Sequence, residues 1–277
     1  MSYLKTIGYI ICFNIFAFST NAEESNDLNR IFLALKLDRL FEEIREEGLV
    51  AAKEMHGDLK GSQSVVGWSK KIDEIYSTKL MKDYFKRELT NLESLSIFLL
   101  AINFYEKPLG VKIIENELLT RIELRDESEK EKARNLVKQL KYLKPYRFKL
   151  YNEIINANGF IEDNVSSSMN SNVAFYEGYA AGLNTSSQGL TKTEMISKIW
   201  SNERETRDRM TDWVLNFSVT SFKDLTDNEL KEYLEFSNSK PGRYLSNNIN
   251  FIFDKLFGIQ SYKLGEFIAQ SSVTSGT

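Results

Sequence analysis

Apolar side chains recur every three or four residues along nearly the whole chain, and only three prolines, Pro108, Pro145 and Pro241, interrupt them. That spacing collects the apolar residues on one face of an α-helix, whereas a half-buried strand would alternate. From Leu28 the stripe runs through Ile31, Leu35, Leu40, Phe41, Ile44, Leu49, Ala52 and Met55. It is interrupted near Asp38, which suits the start of a second helix. The opposite face carries Arg39, Glu42, Glu43, Arg45 and Glu46. The expected fold is all-α: an amphipathic helical bundle built from two divergent repeats with helix-turn-helix hairpins.

The same period predicts helices from Trp68 to Phe85, from Leu92 to Tyr105 and from Pro108, at a first-turn position where its missing N–H costs nothing, to Ile122. A charged segment, Arg121 to Lys144, keeps Leu136, Leu140 and Leu143 in register, and the pattern resumes from Met195 through Phe217. Residues 163–192 are rich in Ser and Asn, predicting loops or an exposed linker around one short helix at Phe175 to Ala181. The repeat rests on two matches. Leu40-Phe41-Glu42-Glu43-Ile44 resembles Leu150-Tyr151-Asn152-Glu153-Ile154, and Phe98, Ile102, Phe104 and Gly110 match Leu230, Leu234, Phe236 and Gly242 at one constant offset. Amphipathic helices also reach such likeness by chance. On this reading residues 1–22 form a signal peptide, 23–143 a first repeat, 144–268 a second repeat with the polar insertion near 163–192, and 269–277 a disordered tail.

A short cationic start, the apolar run Ile7 to Phe18 and small residues at Thr20 and Ala22 have the order of a secretory signal peptide, with cleavage expected after Ala22. The expected location is periplasmic or secreted. Cys12, the only cysteine, would leave with the signal, so the mature chain would use neither disulfides nor thiolate chemistry. What remains carries 35 basic against 39 acidic residues, which gives no electrostatic reason to expect nucleic acid as a partner.

Phe104-Tyr105-Glu106-Lys107-Pro108-Leu109-Gly110 and, more loosely, Leu225-Thr226-Asp227-Asn228-Glu229-Leu230 through Phe236-Ser237-Asn238-Ser239-Lys240-Pro241-Gly242 form a recognisable pattern. It resembles the helical hairpin of exported bacterial proteins in the "domain of unknown function 2059" family. The second copy has Ser237 where that family usually has tyrosine, with its proline shifted one place toward the glycine. The first has Lys107 in place of serine and lacks the Thr-x-x-Glu-Leu lead-in. The resemblance implies an all-helical periplasmic protein with no catalytic residues to carry across. In physical terms Thr226 and Glu229 can form a capping box, and Gly242 allows two helices to approach closely. Phe104, Pro108, Gly110, Phe236, Pro241 and Gly242 are therefore read as architecture.

Chemistry-bearing motifs are scarce. His56 is the one histidine, and the position three before it, where a di-iron bundle would place Glu, is Lys53. Zinc sites draw on several Cys and His residues. No Gly-x-Ser-x-Gly elbow and no phosphate-binding glycine loop is present, and no cofactor is expected. Acidic residues such as Glu42, Glu43, Glu46, Glu47, Glu115, Glu117 and Glu123 interleave with arginines at helical spacing and read as a solvated, internally paired face. A basic aromatic stretch, Lys138, Lys141, Lys144, Arg147 and Lys149 among Leu140, Tyr142, Leu143, Tyr146, Phe148 and Tyr151, suits anionic lipid or a glycan polymer, or else its aromatics start the core of the second repeat while the lysines are solvated.

The expected role is a non-catalytic binding or envelope-maintenance factor with an apolar ligand, an envelope protein or an anionic envelope surface as partner. Phe175, Tyr179, Trp200 and Trp213 are the candidate lining of a ligand groove. The alternative is a cell-wall glycan hydrolase using two carboxylates about 5 to 10 Å apart.

Overall fold

The structure, a computed structural model, describes residues 16–58, 67–183 and 192–274. They form thirteen helices and no strand: α1 (Phe16–Ala34), α2 (Leu37–Asp58), α3 (Trp68–Ile75), α4 (Thr78–Thr90), α5 (Leu95–Tyr105), α6 (Pro108–Glu123), α7 (Glu127–Leu143), α8 (Pro145–Ala157), α9 (Phe160–Gly182), α10 (Lys192–Ser201), α11 (Glu203–Ser221), α12 (Asp227–Asn238) and α13 (Lys240–Thr274). The fold is all-α. α1 begins ahead of the expected cleavage position, and the first fifteen residues of the expected signal peptide lie outside the described residues. No described helix is long and apolar enough to cross a membrane.

Local chemistry sets the breaks. Lys36, with φ +48°, turns the chain between α1 and α2, two residues before Asp38. Pro108 and Pro145 open α6 and α8. The Asp126 carboxylate caps α7 by accepting from the Ser128 backbone N–H at 2.7 Å. Gly159, with φ +67°, separates α8 from α9. Thr226 and Glu229 form the expected capping box at α12: the Glu229 N–H donates to the Thr226 hydroxyl at 3.2 Å and the Thr226 N–H to the Glu229 carboxylate at 2.7 Å.

The two hairpins, α5–α6 and α12–α13, share one local geometry. A Cβ on Gly110 would sit 2.3 Å from the Phe104 carbonyl oxygen, and one on Gly242 would sit 2.1 Å from that of Phe236. Ser237 is fixed by its surroundings. It is fully buried, donates to the Tyr233 carbonyl at 2.8 Å and accepts from Asn158 Nδ2 at 3.0 Å, so a tyrosine ring has no room there.

Two expectations are corrected. Of residues 163–192, expected as loop or linker, residues 163–182 are helical and belong to the 23-residue α9. The residues expected as one short helix are its last two turns. Helix wins because α9 lies parallel along α13: Gly178 and Gly182 stand one turn apart where Cβ atoms would meet the carbonyl oxygens of Tyr262 and Glu266 at 1.9 and 2.4 Å, and Gly265 faces the Phe175 carbonyl in the same way. Val165 and Met169 are buried with Ile199. Burial on that scale outweighs the modest helix reluctance of Ser and Asn. The expected disordered tail at 269–277 is helical as far as Thr274, because Ile268 and the fully buried Ala269 pack against α9 and α3.

The main core joins both halves of the chain. Ile31, Phe41, Phe85, Phe98 and Ile102 from the first half are buried in one cluster with Tyr151, Ile154, Phe222, Leu230 and Tyr233 from the second.

Candidate ligand-binding cavity

Five helices, α2, α6, α9, α11 and α13, and the end of α1 converge around a cavity of about 300 Å³. Its walls are thirteen apolar side chains and five polar ones. α2 supplies Leu40 and Ile44 beside Leu35, α11 supplies Trp213, Val214 and Phe217, with Phe222 just beyond it, and α13 supplies Ile249, Phe253 and Phe257. α6 presents Ile114, Glu117, Leu118 and Arg121, and α9 presents Phe160 and Asn164. A concave, mainly apolar space with a few convergent polar groups is the usual form of a small-molecule site, and this one lies at the lower end of their size range.

Four of the five polar walls are occupied or neutral. Arg121 holds Glu47 in a two-pronged ion pair, with Nε and Nη2 each 2.8 Å from a carboxylate oxygen. Asn164 donates to the Phe160 carbonyl at 2.7 Å, Asn250 donates to the Asp163 carboxylate, and Ser218 is uncharged. Glu117 differs: among the described residues it forms no ion pair. Burial against the apolar wall is the cause that lifts its carboxyl to about 7, since charge is disfavoured where water is excluded. Its charge reaches the buried phenols of Tyr105 and Tyr233, both held above the usual tyrosine range by burial first and by electrostatic coupling second.

Of the other acidic residues of this face, Glu43, Glu47, Glu115 and Glu123 are paired as expected, while Glu42 and Glu46 are exposed to solvent. Glu115 meets Lys36 and lies 3.2 Å from Arg39, and Glu43 pairs with Arg125 at 2.5 Å. Glu117 was readable as an exception from its register. Ile114, Glu117, Leu118 and Arg121 stand at i, i+3, i+4 and i+7, so the carboxylate occupies an apolar stripe rather than the solvated face.

The four aromatics expected to line one groove do not meet. Phe175 and Tyr179, ring centroids 6.4 Å apart, pack into a separate small cluster with Ile72, Ile75, Leu264 and Ile268. Trp200 on α10 is 64% exposed. Only Trp213 lines the cavity, where it stacks on Phe217 at 5.1 Å. The hairpin residues lie elsewhere: Phe104 and Gly110 are buried and Gly242 is packed against α12. His56 falls in the last turn of α2.

No protein-family model, curated protein or solved structure matches this chain.

Proposed function

We propose that this protein is an exported, non-catalytic carrier that holds a small amphiphile in the cavity between α2, α6, α9, α11 and α13. The observation that carries the reading is Glu117, a carboxyl without an ion-pair partner among the described residues, set in an otherwise apolar cavity of about 300 Å³. Leaving such a group half-buried without a counter-ion costs stability, and groups of that kind concentrate at binding sites. The complementary ligand has an apolar body that fills the aromatic wall and a hydrogen-bond-donating head, an amine above all. Its cationic head would hold the Glu117 carboxylate ionised and lie against the faces of Trp213 and Phe217. The cavity lining supplies one carboxyl without a counter-ion rather than the facing pair that glycan cleavage needs, which favours binding. Export is supported by the pattern at residues 1–22 and by the resemblance of the two hairpins to the exported helical family.

Calorimetric titration with a series of linear primary amines and the matching alcohols tests this. Affinity should rise with chain length until the cavity is full, and amines should bind more tightly than alcohols. Glu117→Gln should remove the preference for the amine. Val214→Phe should fill the cavity and weaken both series. Equal binding of both series by wild type and by the filled variant rejects the proposal.

A further inference from the structure

The corner between α7 and α8 is unlike the rest of the surface. Between Glu131 and Glu153 the chain carries seven basic residues and no acidic one, although the protein as a whole has a formal charge of −3. At this corner Tyr142 is 79%, Leu143 77% and Tyr146 52% exposed. Single exposed apolar residues are ordinary, but three large ones within five residues form a patch. Lys138, Lys141 and Lys144 surround it, all exposed and none in an ion pair among the described residues. The other two cations nearby are engaged. Arg147 is turned inward to Asp227 at 2.6 Å and to the carbonyls of Phe222, Lys223 and Leu225, and Lys149 lies 3.5 Å from Glu153.

The corner is also held firmly. Leu140, Leu150 and Tyr151 on its inner side are buried, so the outward side chains are presented from packed helices. We infer that this corner docks on an anionic lipid surface, with Leu143, Tyr142 and Tyr146 entering the headgroup boundary and Lys138, Lys141 and Lys144 meeting the phosphates. Tyrosine favours that boundary because its ring is apolar and its hydroxyl is wet, and lysines beside it are drawn to the negative surface potential. An acidic protein partner would satisfy the lysines but leave the protruding Leu143 without a counterpart.

Sedimentation of the full chain with phosphatidylglycerol–phosphatidylethanolamine vesicles, and separately with phosphatidylcholine vesicles, tests the inference. Binding should select the anionic vesicles and weaken with added salt. A charge near the surface changes affinity about fivefold, so K138E/K141E/K144E together should lower it by about a hundredfold or more. Tyr142→Ser with Leu143→Ser should weaken binding while keeping its salt dependence, and a Tyr142→Trp reporter should shift to the blue on the anionic vesicles alone. These positions are exposed, and thermal unfolding of each variant checks that the fold is intact. Equal binding to both vesicle types, a triple variant that binds like wild type, or an unshifted reporter overturns the inference. So does a preference for polyglutamate over anionic vesicles.

Discussion

The rings of Phe104 and Phe236 lie face to face, centroids 3.9 Å apart and planes within 5° of parallel. Each stands six residues before the close-packed glycine of its hairpin, Gly110 or Gly242, so the two corners of the molecule meet through the same position of each. Tyr105 closes the contact edge-on to both rings, at 5.3 Å from Phe104 and 5.5 Å from Phe236. Truncating either ring removes a large apolar contact and leaves a cavity. Phe104→Ala should cost about 3 kcal/mol, and the half-buried Phe236→Ala somewhat less. Urea unfolding of the double variant should show a coupling of about 1 kcal/mol. Strictly additive losses would mean that the stack adds nothing beyond burial.

The glycines of the hairpins make a sharper prediction. Gly110→Ala and Gly242→Ala push a methyl into backbone carbonyls that cannot rotate away, and each should destabilise by about 1–3 kcal/mol or more. Gly258, inside α13, has nothing within 4 Å of where its Cβ would stand. Gly258→Ala should therefore stabilise by up to about 1 kcal/mol through helix propensity. Denaturant midpoints of the three variants check the contrast, and a common sign for all three would refute the packing argument.

Glu117 gives stability a pH dependence of defined sign. Its carboxyl is lifted from an ordinary 4.5 to about 7 in the folded chain, so between those values the folded state binds more protons than the unfolded one. Stability from this group is present below pH 4.5 and is lost as pH rises toward 7 and above. Glu117→Gln should raise the melting temperature by a few degrees at pH 8, corresponding to roughly 1–3 kcal/mol for a half-buried group, with little change at pH 4.5. An equal shift at both pH values would show that the carboxyl ionises as it does in water.

Arg147 secures the turn after α11. Its side chain is 12% exposed, donates to the carbonyl oxygens of Phe222, Lys223 and Leu225 and pairs with Asp227, placing a cation at the carbonyl-rich end of a helix. Arg147→Ala should cost about 3 kcal/mol by taking a donor from the carbonyls of Lys223 and Leu225 and the counter-charge from Asp227, while the Phe222 carbonyl keeps the Leu225 N–H and the Tyr151 hydroxyl. Arg147→Lys should recover only part, since an ammonium cannot bridge several acceptors as the planar fork does. Full recovery by lysine, measured in urea, would reduce the residue to its charge.

The helices themselves were legible in the sequence because local rules decide them. The proline at Pro108, the Thr226–Glu229 capping box and the three- and four-residue apolar spacing each act within one turn, so they could be read without a partner in view. The long polar α9 could not. Its Ser and Asn residues favour turns on their own, and the backbone approach of Gly178 and Gly182 to α13 together with burial of Val165 and Met169 reverses that preference. The Gly178-Tyr179-Ala180-Ala181-Gly182 spacing was a visible signal of one face with small residues on it, but it did not say which helix would come to that face.

The candidate site divides in the same way. Glu117 was expected on the solvated, paired face and stands in the cavity wall instead; its register beside Ile114 and Leu118 was a signal the charged neighbours masked, and the grouping of Phe175, Tyr179, Trp200 and Trp213 required contacts between distant segments. By itself the sequence determined that this chain is helical, where many of its helices start, and that its corners turn on proline, glycine and capping residues, because those choices are settled by neighbours along the chain. The tertiary structure alone decided that six segments leave a cavity around one carboxyl without a counter-ion, and that Tyr142, Leu143 and Tyr146 face outward. Those outcomes depend on which faces meet across the fold, and periodicity within a helix specifies an apolar face without naming what will cover it.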